Sequence, residues 1–514
     1  MNNKFSLAFF SRAVCFIAIL SLVFSSCSKE KEPVVVSVTS VSFDISNATM
    51  EVSEEQQLTA TISPSNAINK TITWTSSNPT VATVSATGLV KAVAQGSATI
   101  TATCGSKSAV CNVTIIEYAD LSMYDVHGNK LSARSTANCY VVKKAGLYKI
   151  PMVYGNAIKN GTANTNAYDA SASIYENHLK QHIDHKGVAI NTGNAQKDPW
   201  VSQKYEIQKA GIVWQDSKNL VTGIEISGTA GVKEEKYVKF KVEEGNFTQG
   251  NAVVAIYDKD NEVAWSYHIW VTDVNLKSVS VKGRDDGKVY KMMPVNLGWC
   301  APSSANSKNG GKYGNSLYYQ FGRKDPFVAD NGEYVGKAKT FYGPDGKENT
   351  GFSTEDLGKN DVVASIKNPG VYNKNQERVA YTNLWQYASR KSVYDPSPVG
   401  YKVAPRAAFS GFLKSGLLTY DKAEINRKGD FEGGYNFYTT GWQTGELIFL
   451  PITEWRYFDT GELASGSKYS SFLTNETASF TNCAPRTVSF GVSIANLSTG
   501  RQSIGMAIRA IEED

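Results

Sequence analysis

The sequence is short of the residues that most enzyme chemistry needs. Histidine occurs 5 times and cysteine 7 times in 514 residues. The patterns GxSxG, GxxxxGK[ST] and HExxH are missing, which excludes a nucleophile elbow, a P-loop and a zincin helix. No CxxC or Cys/His set has the spacing of a zinc site. Lys and Arg number 53 against 48 Asp and Glu, a net charge of +5, and no basic stripe gathers this small excess. That pattern excludes nucleic acid as a partner. No cofactor is implied. After residue 24 no apolar run approaches the ~20 residues a membrane-spanning helix requires. A glycosidase needs only two carboxylates across a sugar. Nothing in the sequence selects such a pair, so a glycan-processing role is kept only as an enzymatic alternative to a non-catalytic protein.

What is present begins at the N-terminus. Lys4 and Arg12 precede an apolar run, Ala13 to Phe24, broken by Ser21 and followed by Ser25, Ser26 and Cys27. A charged start, a short apolar core and small residues describe a secretory signal over 1–26. With the cysteine directly after the small residues, the segment resembles a bacterial lipobox, although Phe24 stands where Leu is usual. The resemblance implies that Cys27 is acylated and held by outer-membrane lipid. A plain secretory signal with a chance cysteine is the alternative. Residues 27–37 include Ser28-Lys29-Glu30-Lys31-Glu32-Pro33, a charged tether with little to bury. Lysine followed by acidic residues resembles the surface-export signal of Bacteroidetes lipoproteins. A surface-exposed outer-membrane protein is therefore expected, with a periplasm-facing one as the alternative.

Multiple domains, mainly β, are expected beyond the tether. Over 38–117, Leu58, Ala60 and Ile62 alternate, as do Ala98, Ile100 and Ala102, with Pro64, Asn78-Pro79 and Gly88 between runs. Short strands punctuated this often predict a β-sandwich. The run Ile72-Thr73-Trp74-Thr75-Ser76-Ser77-Asn78-Pro79, then Val81-Ala82-Thr83-Val84, Gly88-Leu89-Val90 and Gly96-Ser97-Ala98-Thr99-Ile100 resembles the bacterial Ig-like group 2 domain. The resemblance implies a stalk with Trp74 at its buried centre and Gly88 in a tight turn.

Residues 118–277 predict a β-rich middle domain. Val238, Phe240 and Val242 alternate with Tyr237, Lys239 and Lys241. Trp265, Tyr267, Ile269 and Val271 form one strand face, and Ser266, His268 and Trp270 the other. Asp260-Asn261 between two such runs predicts a hairpin turn; a calcium loop would need further ligands. Residues 170–190 are more helix-like, and His178, His182 and His185 fall there at helical spacing. They are the weak metal candidates, against the plainer reading of a solvated helix face. Phrases such as Val153-Tyr154-Gly155-Asn156-Ala157 and Val213-Trp214-Gln215-Asp216 resemble a region of Bacteroidales surface lipoproteins that implies no activity.

Residues 278–514 are rich in loops. Pro294-Val295-Asn296-Leu297-Gly298, Leu317-Tyr318-Tyr319-Gln320-Phe321-Gly322-Arg323, Phe449-Leu450-Pro451-Ile452-Thr453-Glu454-Trp455-Arg456 and Gly505-Met506-Ala507-Ile508-Arg509 together resemble the Fibrobacter succinogenes major paralogous domain. That family resembles C-type-lectin-like folds, which implies an α+β head: a twisted sheet, a helix or two and long loops. The Glu-Pro-Asn and Trp-Asn-Asp phrases of a calcium-dependent lectin site are missing. The head is expected to bind a glycan or surface-protein ligand through Tyr318, Tyr319, Phe321, Trp385 and Trp455, because ring faces stack on sugars and proteins alike.

Cys104 and Cys111 flank Gly105-Ser106-Lys107-Ser108, so they are either cross-hairpin disulfide partners or two small buried thiols. Cys300 and Cys483 pose the same choice. The function expected is adhesion or recognition, with a structural or accessory subunit of a fimbria-like surface assembly as the alternative.

Overall fold

The computed structural model describes residues 35–514 apart from 245–246, 301–315, 330–338, 359–360, 376, 378–380, 388, 417–420, 430–432, 454, 465–468, 478–484, 491–494 and 500–502. Cys27, with its signal and the start of its tether, lies outside the described residues, as does Cys483. The chain is mainly β and divides into two units, 1–117 and 118–514.

In the first unit, strands Asn47–Glu51, Lys107–Ile116, Gly96–Cys104 and Thr73–Ser76 form one sheet in that order. Strands Glu55–Gln57, Leu89–Ala92 and Ala82–Val84 form a second. Period-2 alternation does the sorting. In Gly96–Cys104, Ala98, Ile100, Ala102 and Cys104 are buried and the residues between them are not. Ala98 and Ile100 join Met50, Leu58, Val90 and Val113 between the layers, and Ala102 and Cys104 pack with Val41. Trp74 departs from expectation: it is half-buried rather than central. Its strand lies at the sheet edge, so only one flank has a neighbour to cover it. It stacks on Phe43 with centroids 5.5 Å apart. Gly88 turns at φ +86°, and a Cβ there would lie 2.5 Å from Trp74 Cζ2 and 2.8 Å from the Leu58 carbonyl.

The second unit is built on a six-stranded sheet in the order Cys139–Val142, Val263–Val271, Gly250–Asp258, Ile207–Gln215, Phe341–Tyr342 and Glu348–Asn349. Asn261, at φ +61°, turns the hairpin between Gly250–Asp258 and Val263–Val271. Asp258 fixes that turn by accepting from the backbone N–H of Asp260 and Glu262, both at 3.0 Å. Both faces of Val263–Val271 are buried. A sheet covered on both sides takes apolar residues on either face, which is why Trp265 and Trp270 are both enclosed.

The regions 118–277 and 278–514 share one hydrophobic core, running from Leu121 to Ala510. Gln215 pairs with Tyr342 in the main sheet. The buried Asn138 amide donates to the carbonyls of Val393 at 2.7 Å and Asp395 at 2.9 Å. A smaller core gathers Phe409, Phe412, Phe437, Phe472 and Phe490 in the C-terminal part. Helices there are single short segments, Val362–Lys367 and Ala407–Ser410.

Candidate functional site

Four of the five rings expected at a ligand surface lie inside the protein. Tyr318, Tyr319, Phe321 and Trp385 are all buried. For Tyr318 and Tyr319 the cause is the position of the strand Leu317–Tyr318 and the residue after it. Successive residues of an extended chain point to opposite sides, and here both sides are core. Tyr319 and Phe321 enter the large core, and Tyr318 the smaller one. Phe321 packs 5.0 Å from Trp385, whose indole N–H donates to the Arg323 carbonyl at 3.0 Å. A ring held this way offers no face to a sugar. Trp455 is half-buried and rests edge-on to Tyr457.

The three clustered histidines do not share a helix. Over 170–190 the backbone runs through turns and isolated bridges, Asp169 with Gln181 and Ile183 with Ala189. Local side-chain bonds compete with a helix here. Asp169 accepts from the Ser171 N–H at 2.9 Å, and Asp184 accepts from those of Lys186 and Val188. His178 meets Ser173 Oγ at 2.7 Å, His182 lies against the Tyr394 ring, and His185 Nε2 donates to Asp258 Oδ2 at 3.1 Å. Burial lowers the affinity of all three for a proton, and pushes His182 down to about 4. Among the described residues no group of three or more His, Cys, Asp or Glu is placed to hold a metal ion.

The Cys104–Cys111 disulfide fails on register; Cys483, the other expected partner of Cys300, lies outside the described residues. Cys104 pairs with Lys107, whereas Cys111 pairs with Ile100. Four residues of strand separate the two positions, roughly 13 Å at about 3.3 Å per residue, and a disulfide needs Cα atoms within about 7 Å. Both are free buried thiols, as are Cys139 and Cys300. Burial pushes the Cys300 thiol up to about 12, and its sulfur accepts from the Asn251 amide at 3.3 Å.

Open space occurs elsewhere. A hollow of about 540 Å³ is lined by loop residues 172–175, His178, Thr382, the strand Gln386–Tyr387 and residues 475–477. Its loop wall is exposed: Ile174 at 87% and Tyr175 at 41%. Tyr175 and His178 lie 5.0 Å apart, and His178 meets Tyr387 edge-on at 5.8 Å. The wall is held by specific bonds. Lys180 Nζ donates to the carbonyls of Ser173 and Tyr175. Asn383 Oδ1 accepts from the Leu179 N–H at 2.8 Å, and its amide returns a bond to the Leu179 carbonyl at 2.9 Å. The Thr382 N–H donates to the Asn177 carbonyl. On the opposite wall, Asn475 is only 2% exposed; its Nδ2 donates to Gln386 Oε1 and the Val403 carbonyl, both at 2.8 Å. Those two acceptors fix the amide orientation and leave Asn475 Oδ1 without a partner. Thr382 Oγ1 is unpartnered as well.

A second hollow, of about 360 Å³, adjoins the first, and Ser389 lines both. Asn156 (5% exposed) donates from Nδ2 to the Lys391 carbonyl at 3.0 Å, and its Oδ1 has no partner. Lys391 Nζ donates to the carbonyls of Ser397 and Pro398. Lys402 Nζ meets Asp514 at 3.0 Å, and Lys159 meets Glu513 at 2.5 Å. A third, small space beside Arg323, Lys324 and Asp325 measures about 20 Å³. That is room for about one water, and the Lys324 ammonium there is already bonded to Asp325 and Ser266.

Sequence reading missed the first hollow because its walls lie some 200 residues apart, at 172–179 and 382–387. The one available signal was Tyr175 and Tyr387 among polar neighbours, a setting that interior tyrosines share.

Residues 37–113 match the model of the bacterial Ig-like domain (group 2), so that domain is present in the first unit. An Ig-like virion protein of Serratia phage KSP90 is 46% identical over 84 residues, 16% of this chain and 33% of that protein. A 3-O-alpha-D-galactosyl-alpha-L-arabinofuranosidase of Bifidobacterium longum subsp. longum is 42% identical over 73 residues, 14% of this chain and 6% of that enzyme. The chain thus spans a third or less of the length of these two relatives. Among solved structures, a bacterial Ig-like domain containing GH10 xylanase from termite gut is similar over 13% of this chain and 18% of that one, at 23% identity and a TM-score of 0.12. Domains 5–6 of the S-layer protein SbsC are similar over 46% of this chain and 99% of theirs, at 15% identity and a TM-score of 0.14.

Proposed function

We propose that this chain is a non-catalytic recognition protein of the cell surface, anchored in the outer membrane through an acylated Cys27. The bacterial Ig-like domain over 37–113 supports a surface or recognition-type role. In this reading it is the stalk, and the unit 118–514 does the capturing. The observation that carries the reading is the hollow walled by Tyr175, His178 and Tyr387. It combines exposed ring surface, a wall pinned by hydrogen bonds and unpartnered polar atoms, as a binding site requires. Its ligand is a glycan or a surface protein.

Three measurements test the proposal. Metabolic labelling with a radioactive fatty acid marks the wild-type chain and not Cys27→Ser; label on both sinks the anchor. External protease on intact cells degrades the wild-type chain if it faces outward, and spares it if it faces the periplasm. For recognition, the detergent-solubilised full chain is screened on a glycan array and against surface extracts, beside Tyr387→Ala. Signals that Tyr387→Ala abolishes support capture in the hollow. Signals indifferent to that change reject the site. Stable co-purification with a fimbrial assembly, and no signal elsewhere, favours the structural-subunit alternative.

A further inference from the structure

Two neighbouring hollows with different chemistry share one lip, and that juxtaposition narrows the ligand. Gln386–Tyr387 and Arg390–Lys391 form a two-stranded hairpin in which Tyr387 pairs directly with Arg390. Directly paired residues of an antiparallel ladder project to the same face. Ser389 at the tip holds φ +66°, an uncommon conformation for a side-chain-bearing residue. The hairpin thereby offers a phenol ring to the first hollow and a guanidinium to the second. Arg390 is exposed and has no ion pair among the described residues.

The second hollow is lined by Lys159, Arg390, Lys391 and Lys402 against the two carboxylates of Glu513 and Asp514. Asp514 is almost fully exposed, so its pair with Lys402 is screened and weak. Glu476 is the acid of the first hollow, and it accepts from the Arg406 N–H at 3.2 Å. The cationic excess therefore lies on the Arg390 side of the lip.

The unmet polar atoms specify the rest. Asn475 Oδ1 and Asn156 Oδ1 are acceptors without donors. A bare anion such as sulfate has no proton to give them, whereas a hydroxyl does. A half-exposed tyrosine face takes the C–H surface of a sugar ring. A guanidinium takes a carboxylate in two parallel bonds. Hydroxyls, a C–H face and a carboxylate occur together in one class of molecule.

We propose that the paired hollows bind an acidic carbohydrate, a uronate-containing oligosaccharide, with a sugar ring over Tyr387 and the carboxylate at Arg390. This rests on the recognition reading above and adds the ligand's chemical class. Asn475 and Asn156 then take hydroxyls of the units on either side of Ser389.

The test uses the detergent-solubilised full chain and surface plasmon resonance on immobilised oligogalacturonate, oligoglucuronate and oligomannuronate, each beside its carboxyl-reduced, neutral counterpart. The expected result is at least a tenfold preference for one acidic form over its reduced counterpart. Arg390→Ala removes the preference by weakening the acidic form at least tenfold. Tyr387→Ala weakens both forms at least tenfold, and Tyr387→Phe, which keeps the ring, restores them. Unchanged thermal unfolding of each variant separates lost binding from lost fold. Equal affinity for acidic and neutral forms, or a preference that survives Arg390→Ala, overturns the acidic assignment while leaving recognition in place. No binding to any of these saccharides overturns the assignment too; a protein signal that is lost in Tyr387→Ala then upholds the recognition reading by itself.

Discussion

Tyr387 and Arg390 are direct partners across the short hairpin that forms the lip between the two hollows. The ring and the guanidinium emerge from the same face within a few ångströms of each other, about 5 Å between Cβ atoms for such a pair. This hairpin is set by its neighbours. Gln386 is held by the Asn475 amide, and Lys391 is anchored on two carbonyls of 397–398. The two side chains offered to a ligand therefore stand on a braced support, which lowers the ordering cost of binding.

Tyr319 supplies a control for the site. Its ring is fully enclosed and its hydroxyl has no partner. A buried hydroxyl without a bond costs on the order of 1 kcal/mol or more. Tyr319→Phe is expected to leave saccharide binding unchanged and to raise the melting temperature slightly or not at all. A loss of binding with an intact melting curve would contradict the assignment of this ring to the core.

In the first unit, Gly88 combines a left-handed backbone with no room for a side chain. Gly88→Ala places a methyl group into Trp74 and forces a left-handed backbone on a residue with a Cβ. That conformation alone costs about 1–2 kcal/mol, and the overlap adds to it. The expected outcome is a loss of about 2 kcal/mol or more in the Ig-like domain. Faster amide exchange in peptides from 82–104, compared with wild type, would register it.

The thiols give a direct chemical check. Alkylation before unfolding should leave Cys104 and Cys111 unmodified, because both are buried. Alkylation in denaturant without reductant should modify both completely. Recovery of a disulfide-linked peptide joining them would show that the register of the Gly96–Cys104 and Lys107–Ile116 hairpin is not the one described.

His268 makes stability depend on pH. Burial in the main sheet pushes its proton affinity down to about 3, and its Nε2 donates to Asn251 Oδ1 at 2.9 Å. The unfolded chain takes up a proton near pH 6.5 that the folded chain refuses. Stability from this group is therefore full above pH 6.5 and falls as pH drops toward 3. Between pH 7 and pH 5 the loss amounts to about 2 kcal/mol, and His182 adds in the same direction. Urea unfolding of the 118–514 unit should show this slope, flattened in His268→Gln. An equal slope in that variant would place the titration elsewhere.

The sequence by itself determined the local and periodic features. Alternation of Ala98, Ile100 and Ala102 with polar neighbours placed a half-buried strand, and Gly88 marked a turn that only glycine fits. Asp260-Asn261 between two apolar runs marked the Val263–Val271 hairpin. These are legible because strand period and turn chemistry act over a few residues. Which rings meet solvent was decided by tertiary structure alone. Tyr318 and Tyr387 each close a two-residue strand, yet one lies in the smaller core and the other at an open lip. The difference is made by what packs against each. Leu179 and Asn383, 204 residues apart, exchange two hydrogen bonds, and no local pattern encodes that meeting. The same packing joined the regions 118–277 and 278–514 into one core and built the hollow at their seam.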